Sequence, residues 1–156
     1  MAEPFLRRRG AITISTDPQR LDLDVVHGYL TRSSYWAEGI PRSVVERSVK
    51  GSLCFGLYDG AAQVGFARVI SDQATYAYVC DVFVLESHRG QGLAVWLMEC
   101  IMEHPDLQGL RRWALTTRDA HGLYGRVGFT PLVLPERWME ITRRGIYAAG
   151  GGGGGS

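Results

Sequence analysis

The longest helix predicted from the sequence follows Gly92. Apolar side chains recur there at intervals of three and four residues as far as Ile101, and the acidic residues lie off the apolar stripe. Pro105 ends this helix, because proline lacks the amide hydrogen that a helix interior needs. The same periodicity predicts two shorter helices earlier in the chain, over residues 22–30 and 41–50.

Runs rich in β-branched and aromatic residues predict a sheet. The predicted strands cover residues 11–15, 52–58, 63–70, 76–84, 112–117, 132–134 and 138–142, with a short helix over residues 121–127. Asp59-Gly60 indicates a hairpin, and the four-residue gap around it predicts a loop longer than the tightest type. The strand, helix and strand from residue 76 to residue 117 should form one right-handed parallel crossover.

Length and composition indicate one globular domain. The chain has 156 residues, of which 46% are hydrophobic and 21% are charged. We assign residues 1–149 to the domain and interpret residues 150–156, six glycines and a serine, as an appended flexible linker. The net charge of +1 favours neither nucleic acid nor an acidic membrane as a partner. No run approaches the roughly 20 apolar residues of a membrane-spanning helix.

The cysteines and histidines favour neither a disulfide nor a metal site. Cys54, Cys80 and Cys100 are odd in number, widely spaced and embedded in apolar runs, which is typical of buried reduced thiols. We therefore expect a reducing, cytoplasmic compartment. The four histidines do not fall at ligand spacing with each other or with the cysteines, so we expect no metal.

A glycine-rich turn lies where the strand over residues 76–84 leads into the long helix. Gly90 and Gly92 remove side chains, so backbone N–H groups at the helix start can approach an anion, and Arg89 adds a full positive charge. The turn lacks the Gly-Lys-Ser/Thr of a Walker loop. It also lacks the three spaced glycines and the downstream acidic residue of a dinucleotide fold.

Arg89, Gly92 and Ala94 form the pattern Arg-x-x-Gly-x-Ala, which resembles the pyrophosphate loop of the GNAT superfamily of acyl-CoA-dependent N-acetyltransferases. The segment from Ala120 through Tyr124 to Gly128-Phe129 is similar to a second motif of that superfamily. The resemblance extends over about residues 12–141 in the order of elements. It implies a single α/β GNAT-like domain, with a central mixed, mostly antiparallel sheet, one β-α-β crossover and flanking helices.

The resemblance also implies acetyl-CoA as the donor substrate, without a metal. Residues implied in donor binding are those of the strand end and the glycine turn, together with one residue after the next strand: Val82, Phe83, Val84, Arg89, Gly90, Gln91, Gly92, Leu93, Ala94 and Thr117. The superfamily often has Asn where this chain has Thr117. A hydroxyl forms fewer hydrogen bonds than a carboxamide, so we expect a weaker or different contact there.

Two residues match catalytic positions of the superfamily. Tyr124 corresponds to the tyrosine that commonly protonates the departing thiolate, and its alternative is a tyrosine packed on the sheet. Asp81 matches an acidic position of some members, while Cys80 stands where a glutamate is usual. Asp81 could take the proton of the amine directly, take it through water, or hold the acceptor. Its structural alternative is to satisfy backbone donors at a strand distortion.

The expected activity is transfer of the acetyl group to a primary amine of a small molecule or peptide, by direct attack in a ternary complex. Tyr35, Trp36, Arg68 and Tyr78 are the candidate acceptor residues, with Asp72 beside them, because aromatic walls with a few charges are typical of small-ligand pockets. The main alternative is a non-catalytic acyl-CoA-binding or sensing module. A toxin acting on charged tRNA would need a more basic surface. By analogy alone, the last strands could pair two copies into a homodimer.

Overall fold

The computed structural model describes residues 3–148, and the predicted linker lies outside them. Its main elements, in chain order, are β1 (Leu6–Arg9), β2 (Ile12–Ser15), α1 (Leu23–Arg32), α2 (Arg42–Lys50), β3 (Leu53–Asp59), β4 (Ala62–Ser71), β5 (Tyr76–Val84), α3 (Leu93–Glu103), β6 (Arg112–Ala114) and α4 (His121–Gly125). The six strands form one sheet in the order β1-β2-β3-β4-β5-β6. Neighbouring strands are antiparallel except β5 and β6, which are parallel, so the predicted mixed sheet is confirmed.

The helices cover the sheet through two core clusters. α3 belongs to a cluster that includes Phe55, Leu57 and Leu97, whereas α1 and α2 belong to a cluster that includes Phe66 and Phe83. Alternate residues of a strand point to opposite faces, so α3 packs on one face of the sheet and the other two helices pack on the opposite face. Among residues 3–148, no helix combines the length and the hydropathy needed to cross a membrane.

Two hairpins differ from the prediction. β1 was missed, because its residues are all exposed and three of the four are arginines, a composition that suits an edge strand and shows no apolar alternation. The loop between β3 and β4 has only two residues, since Asp59 pairs with Ala62. Gly60 has a φ of +61° there, so the tight loop depends on its glycine.

β5 pairs with β6 only through its first three residues. Tyr76, Ala77 and Tyr78 pair with residues 112–114, which are the whole of β6, and the backbone that follows β6 is not paired with β5. The predicted strand over residues 112–117 therefore ends at Ala114. Because β5 continues to Val84 without a neighbour on this side, a cleft opens beside its second half.

The two closing strands predicted over residues 132–134 and 138–142 are not formed. A single 3-10 turn, Pro135–Arg137, lies between them, and much of the apolar surface of the segment is exposed, with Val133 at 87% and Met139 at 96%. A strand needs a hydrogen-bonding partner, and within residues 3–148 the outer side of β6 has none. The β-rich pattern indicated a local preference that no neighbouring strand satisfies.

Candidate active site

A cleft of about 880 Å³ begins where β5 and β6 separate. Most of the residues singled out from the sequence line it: Tyr35, Trp36, Arg68, Tyr78, Asp81, Val82, Phe83, Val84, Arg89, Ala94, Thr117 and Tyr124. Gly90, Gln91, Gly92 and Leu93 form the turn between Arg89 and Ala94. Asp72 does not line the cleft. Its carboxylate accepts hydrogen bonds from the Ala74, Thr75 and Tyr76 amides and so closes the β4–β5 turn.

The glycine turn has the backbone that an anion site needs. Gly90 and Gly92 have φ values of +80° and +72°, in the left-handed region that only glycine adopts cheaply, and no atom lies within 4 Å of where their side chains would begin. Gly92 precedes α3, and no side chain caps the helix start. The first amides of α3 therefore have no partner within the helix, and the positive end of its dipole faces the turn.

Arg89 is fixed at the same end of the cleft. Its Nε donates to the Val84 carbonyl at 3.0 Å, and a terminal nitrogen donates to the Tyr29 hydroxyl at 3.1 Å. The ring of Tyr29 in turn stacks on Phe83, with 4.0 Å between centroids. Phe83 and Leu93 are buried in the core, so only their backbone groups are available to a ligand.

Asp81 is the most tightly held acidic group of the cleft. Its Oδ2 accepts a hydrogen bond from Arg68 Nε at 2.9 Å, and its Oδ1 accepts one from Trp36 Nε1 at 2.8 Å. The side chains of Arg68 and Asp81 are only 16% and 11% exposed. Burial is the largest influence on the pKa of Arg68 and lowers it, but the charge and hydrogen bond of Asp81, together with the nearby Cys80 and Cys54, raise the pKa above its usual value.

The backbone at Asp81 is distorted, as expected if Asp81 has a structural role at a strand distortion. Its φ is +54°, and the register of β4 and β5 shifts between Phe66 and Arg68. The carboxylate nevertheless binds side-chain donors, not the backbone donors of that alternative. Neighbouring Cys80 is no substitute base, because burial raises the pKa of its thiol to about 12 and keeps it protonated at neutral pH.

Tyr124 projects from α4 into the cleft and is half-buried. Burial first, and then the nearby Tyr35, raises its pKa to about 12. The phenol therefore keeps its proton at neutral pH. Its ring also contacts Phe129 edge-to-face, with 6.2 Å between centroids. A packing role for the ring and a catalytic role for the hydroxyl are therefore compatible.

Thr117 also has a structural partner. Its hydroxyl accepts a hydrogen bond from the Ala120 amide at 3.0 Å, at the start of α4. One lone pair of this oxygen is therefore already used.

The cleft also includes residues that the sequence did not indicate. The hydroxyl of Tyr35 accepts a hydrogen bond from the Arg118 amide at 2.9 Å, and the Arg118 guanidinium lies 3.9 Å from the Tyr35 ring centroid. Tyr78 and Thr116 are joined through their hydroxyls at 3.1 Å. Tyr147 adds a further wall. These residues are far apart in the chain, and no motif or spacing links them.

Comparisons with known proteins agree with the fold and with the two motifs. The model of the acetyltransferase (GNAT) domain matches residues 50–131. FG08082, a candidate acetyltransferase of Gibberella zeae, is 33% identical over 140 residues, which cover 76% of this chain and 78% of that protein. The chain belongs to the GNAT acetyltransferase family.

Solved structures support the same assignment. A candidate GNAT-family acetyltransferase of Xanthomonas campestris pv. campestris is 51% identical, covers 88% of this chain and 96% of its own, and superposes with a TM-score of 0.86. A candidate acetyltransferase of Clostridium acetobutylicum, solved with acetyl-CoA, has a TM-score of 0.51 and 12% identity over 65% of this chain and 71% of its own. This second likeness is one of fold alone.

Proposed function

We propose that this protein transfers the acetyl group of acetyl-CoA to a primary amine of a small molecule or peptide, by direct attack in a ternary complex. The observation that carries the proposal is a single cleft with the glycine turn at one end, an aromatic pocket at the other, and Tyr124 and Asp81 along its walls. The family membership and the acetyl-CoA in the Clostridium structure support the choice of donor.

The donor would lie between the glycine turn and β5. The unpartnered amides at the start of α3 and the guanidinium of Arg89 would hold the pyrophosphate. From Val79 onward, the side of β5 that faces the cleft has no strand beside it. Backbone N–H and C=O groups along that edge, other than the Val84 carbonyl that accepts from Arg89, would suit the amides of a pantetheine arm and the oxygen of a thioester.

The reaction needs one proton to leave the amine and one to reach the thiolate. The amine nitrogen attacks the thioester carbon, the tetrahedral oxyanion collapses, and the carbon–sulfur bond breaks with its electron pair on sulfur. Tyr124 would donate its phenolic proton to that sulfur and regain a proton from solvent. Below pH about 8.5, the pKa of a thiol, the released CoA is a thiol and must receive a proton. The pKa of Tyr124, about 12, keeps the phenol protonated over that whole range.

Asp81 would receive the proton of the amine through a water molecule. Each of its oxygens accepts one hydrogen bond from Trp36 or Arg68, and each keeps a second acceptor position. We expect kcat/KM to rise with pH toward the pKa of the acceptor amine itself, because the amine must be neutral to attack.

The first experiment is a calorimetric titration of the protein with acetyl-CoA, beside CoA, ATP and NAD. The Arg89→Ala/Gly92→Ala variant is titrated in parallel, and its unfolding transition shows that it remains folded. Selective binding of the two CoA compounds, lost in the variant, supports the donor site. Equal binding of all four ligands, or none, would overturn it. An amine screen with detection of free thiol then separates transfer from simple acyl-CoA binding.

The homodimer stays a prediction. Exposed apolar side chains between Leu132 and Ile141 support it, because contiguous apolar surface of this kind is typical of an interface. Sedimentation velocity of the wild type and of Met139→Glu tests it: a dimer that dissociates in the variant is the expected result, and a wild-type monomer contradicts it.

A further inference from the structure

We call the part of the cleft lined by Tyr35, Trp36 and Tyr147 its acceptor end. The C-terminal segment of the described chain contributes one wall of it. Tyr147 lines the cleft and packs against the apolar cluster that α1, α2 and the loop between them form with one face of the sheet. That loop also carries Tyr35 and Trp36. Two segments more than one hundred residues apart therefore enclose the same space.

Gly39 allows this close approach. Its φ is +82°, and a Cβ atom at this position would lie 2.6 Å from the carbonyl oxygen of Tyr147. Backbone atoms cannot yield to such a contact as a flexible side chain can. Glycine is therefore required at this position for two reasons: its positive φ and the position of the Tyr147 backbone.

The charges of the cleft are already paired at the acceptor end. Among residues 3–148 the charged lining side chains are Arg68, Asp81, Arg89, Arg118 and Asp119. Arg68 holds Asp81, Arg118 lies 3.4 Å from Asp119, and Arg89 lies at the glycine turn. The Arg118–Asp119 pair is exposed and weak. Asp81 is thus the one buried carboxylate, and under the proposed mechanism it serves the reacting nitrogen.

The remaining walls are aromatic and have little to offer a second cation. A ring face can attract an ammonium group, but the guanidinium of Arg118 already lies against the ring of Tyr35. The indole nitrogen of Trp36 already donates to Asp81. A second ammonium would find no buried carboxylate, because the remaining lining carboxylate, Asp119, is exposed and lies beside Arg118, and a ring face is a weak substitute for a buried counterion.

Resting on the proposed function, we propose that the acceptor is a monoamine with an aromatic or aliphatic body, and that Tyr147 is a specificity-determining residue that packs against this body. Polyamines and lysine-rich peptides are poor acceptors by the same argument. The inference concerns only the acceptor, since neither Tyr147 nor Gly39 belongs to the glycine turn.

A matched pair of amines tests the charge argument. Hexylamine and hexamethylenediamine share one carbon chain and differ in the second ammonium, and phenylethylamine replaces the chain with a ring. We expect kcat/KM for the two monoamines to exceed that for the diamine by about tenfold or more after correction for its two reactive ends. Equal or higher kcat/KM for the diamine, or for spermidine, would overturn the inference.

Substitution of the wall tests the role of Tyr147. Tyr147→Ala should raise KM for phenylethylamine about tenfold, because the ring contact is lost, and leave kcat and the Kd of acetyl-CoA close to the wild-type values. Gly39→Ala should reproduce this pattern by displacing the segment. Ile146→Ala is the matched control, since Ile146 is exposed and does not line the cleft. A change in kcat alone, or the same effect in the control, contradicts the assignment.

Binding measurements separate this inference from the proposed function. Calorimetric titration of the amines into the CoA complex reports the acceptor preference without any turnover. Preferential binding of monoamines, with weaker binding of phenylethylamine to Tyr147→Ala, supports the inference even if no amine is acetylated and the proposed transfer fails. Transfer to diamines with no monoamine preference supports the proposed function and overturns the inference.

Discussion

The two ends of the cleft are built in different ways. Under the proposed function, the glycine turn would recognise the donor mainly through backbone amides, held by two left-handed glycines and the start of one helix. The acceptor end would recognise the amine through side chains from the α1–α2 loop, the segment after β6 and the C-terminal segment. Backbone recognition tolerates change in most side chains, whereas side-chain recognition changes with each substitution. A shared donor and a variable acceptor are what this difference would permit.

The largest expected effect is a loss of turnover without a loss of binding at either end of the cleft. Tyr124→Phe removes the proposed proton donor and should lower kcat by about 10²–10⁴-fold, while the Kd of acetyl-CoA and the affinity for the amine stay unchanged. Steady-state and binding measurements check this together. Tyr76→Phe is the control, because Tyr76 lies on β5 outside the cleft lining. Unchanged turnover in Tyr124→Phe with every amine would argue against the role of this residue.

Breaking the ion pair should damage the acceptor end. Arg68→Ala leaves Asp81 buried without its cation, and we expect a loss of about 3 kcal/mol in the free energy of unfolding, with a higher KM for the amine. Chemical denaturation measures the first and steady-state kinetics the second. Arg68→Ala/Asp81→Ala should recover part of the stability because no charge is then left unpaired. A double variant no more stable than Arg68→Ala would show that the pair is not coupled.

A substitution at the glycine turn should weaken binding of the donor and leave the acceptor end intact. Arg89→Ala should raise the Kd of acetyl-CoA by about tenfold to a hundredfold, the amount expected when a charged hydrogen bond is lost. Arg118→Ala makes the same substitution at the acceptor end and should leave that Kd unchanged. Calorimetry on both proteins provides the comparison. Equal losses in the two variants would mean that general positive charge, and not the position of Arg89, attracts the donor.

The smallest effect is expected at Thr117, between the two ends. Thr117→Ala removes the oxygen that accepts from the Ala120 amide and should cost about 1 kcal/mol in the free energy of unfolding. Thr117→Ser keeps the hydroxyl and should be close to the wild type. If Thr117 contacts the pantetheine arm as well, the alanine variant also binds acetyl-CoA more weakly. Unfolding curves with and without acetyl-CoA distinguish the two contributions.

The sequence predicted the glycine turn and the helix after it because their signals are local. A strand end, two glycines and an amphipathic helix lie within twenty residues, and each has its own pattern. The arrangement of Arg118, Gly39 and Tyr147 depends on how distant segments meet, which no spacing in the chain records. Asp81 was found by its position, but its partners Arg68 and Trp36 lie on other elements.

The errors in the fold have the same cause. β1 has the charged residues of an edge strand, with Arg9 lying over the Trp96 ring at 4.7 Å, so an apolar pattern was absent where a strand exists. Residues 138–142 show β-branched and aromatic character where no strand exists. Pairing decides both cases: β1 has β2 beside it, and the closing segment has no neighbour among residues 3–148.

The short pairing of β5 with β6 has a consequence for local opening. β4 and β5 are joined at six register positions, whereas β5 and β6 are joined at three. Amide protons of β6 should therefore exchange with deuterated solvent well before those of β3 and β4, as an independently opening unit. A ligand that spans from β5 to α3 would slow this exchange without contacting β6. The same separation that leaves room for a substrate makes this edge of the sheet easier to open than its centre.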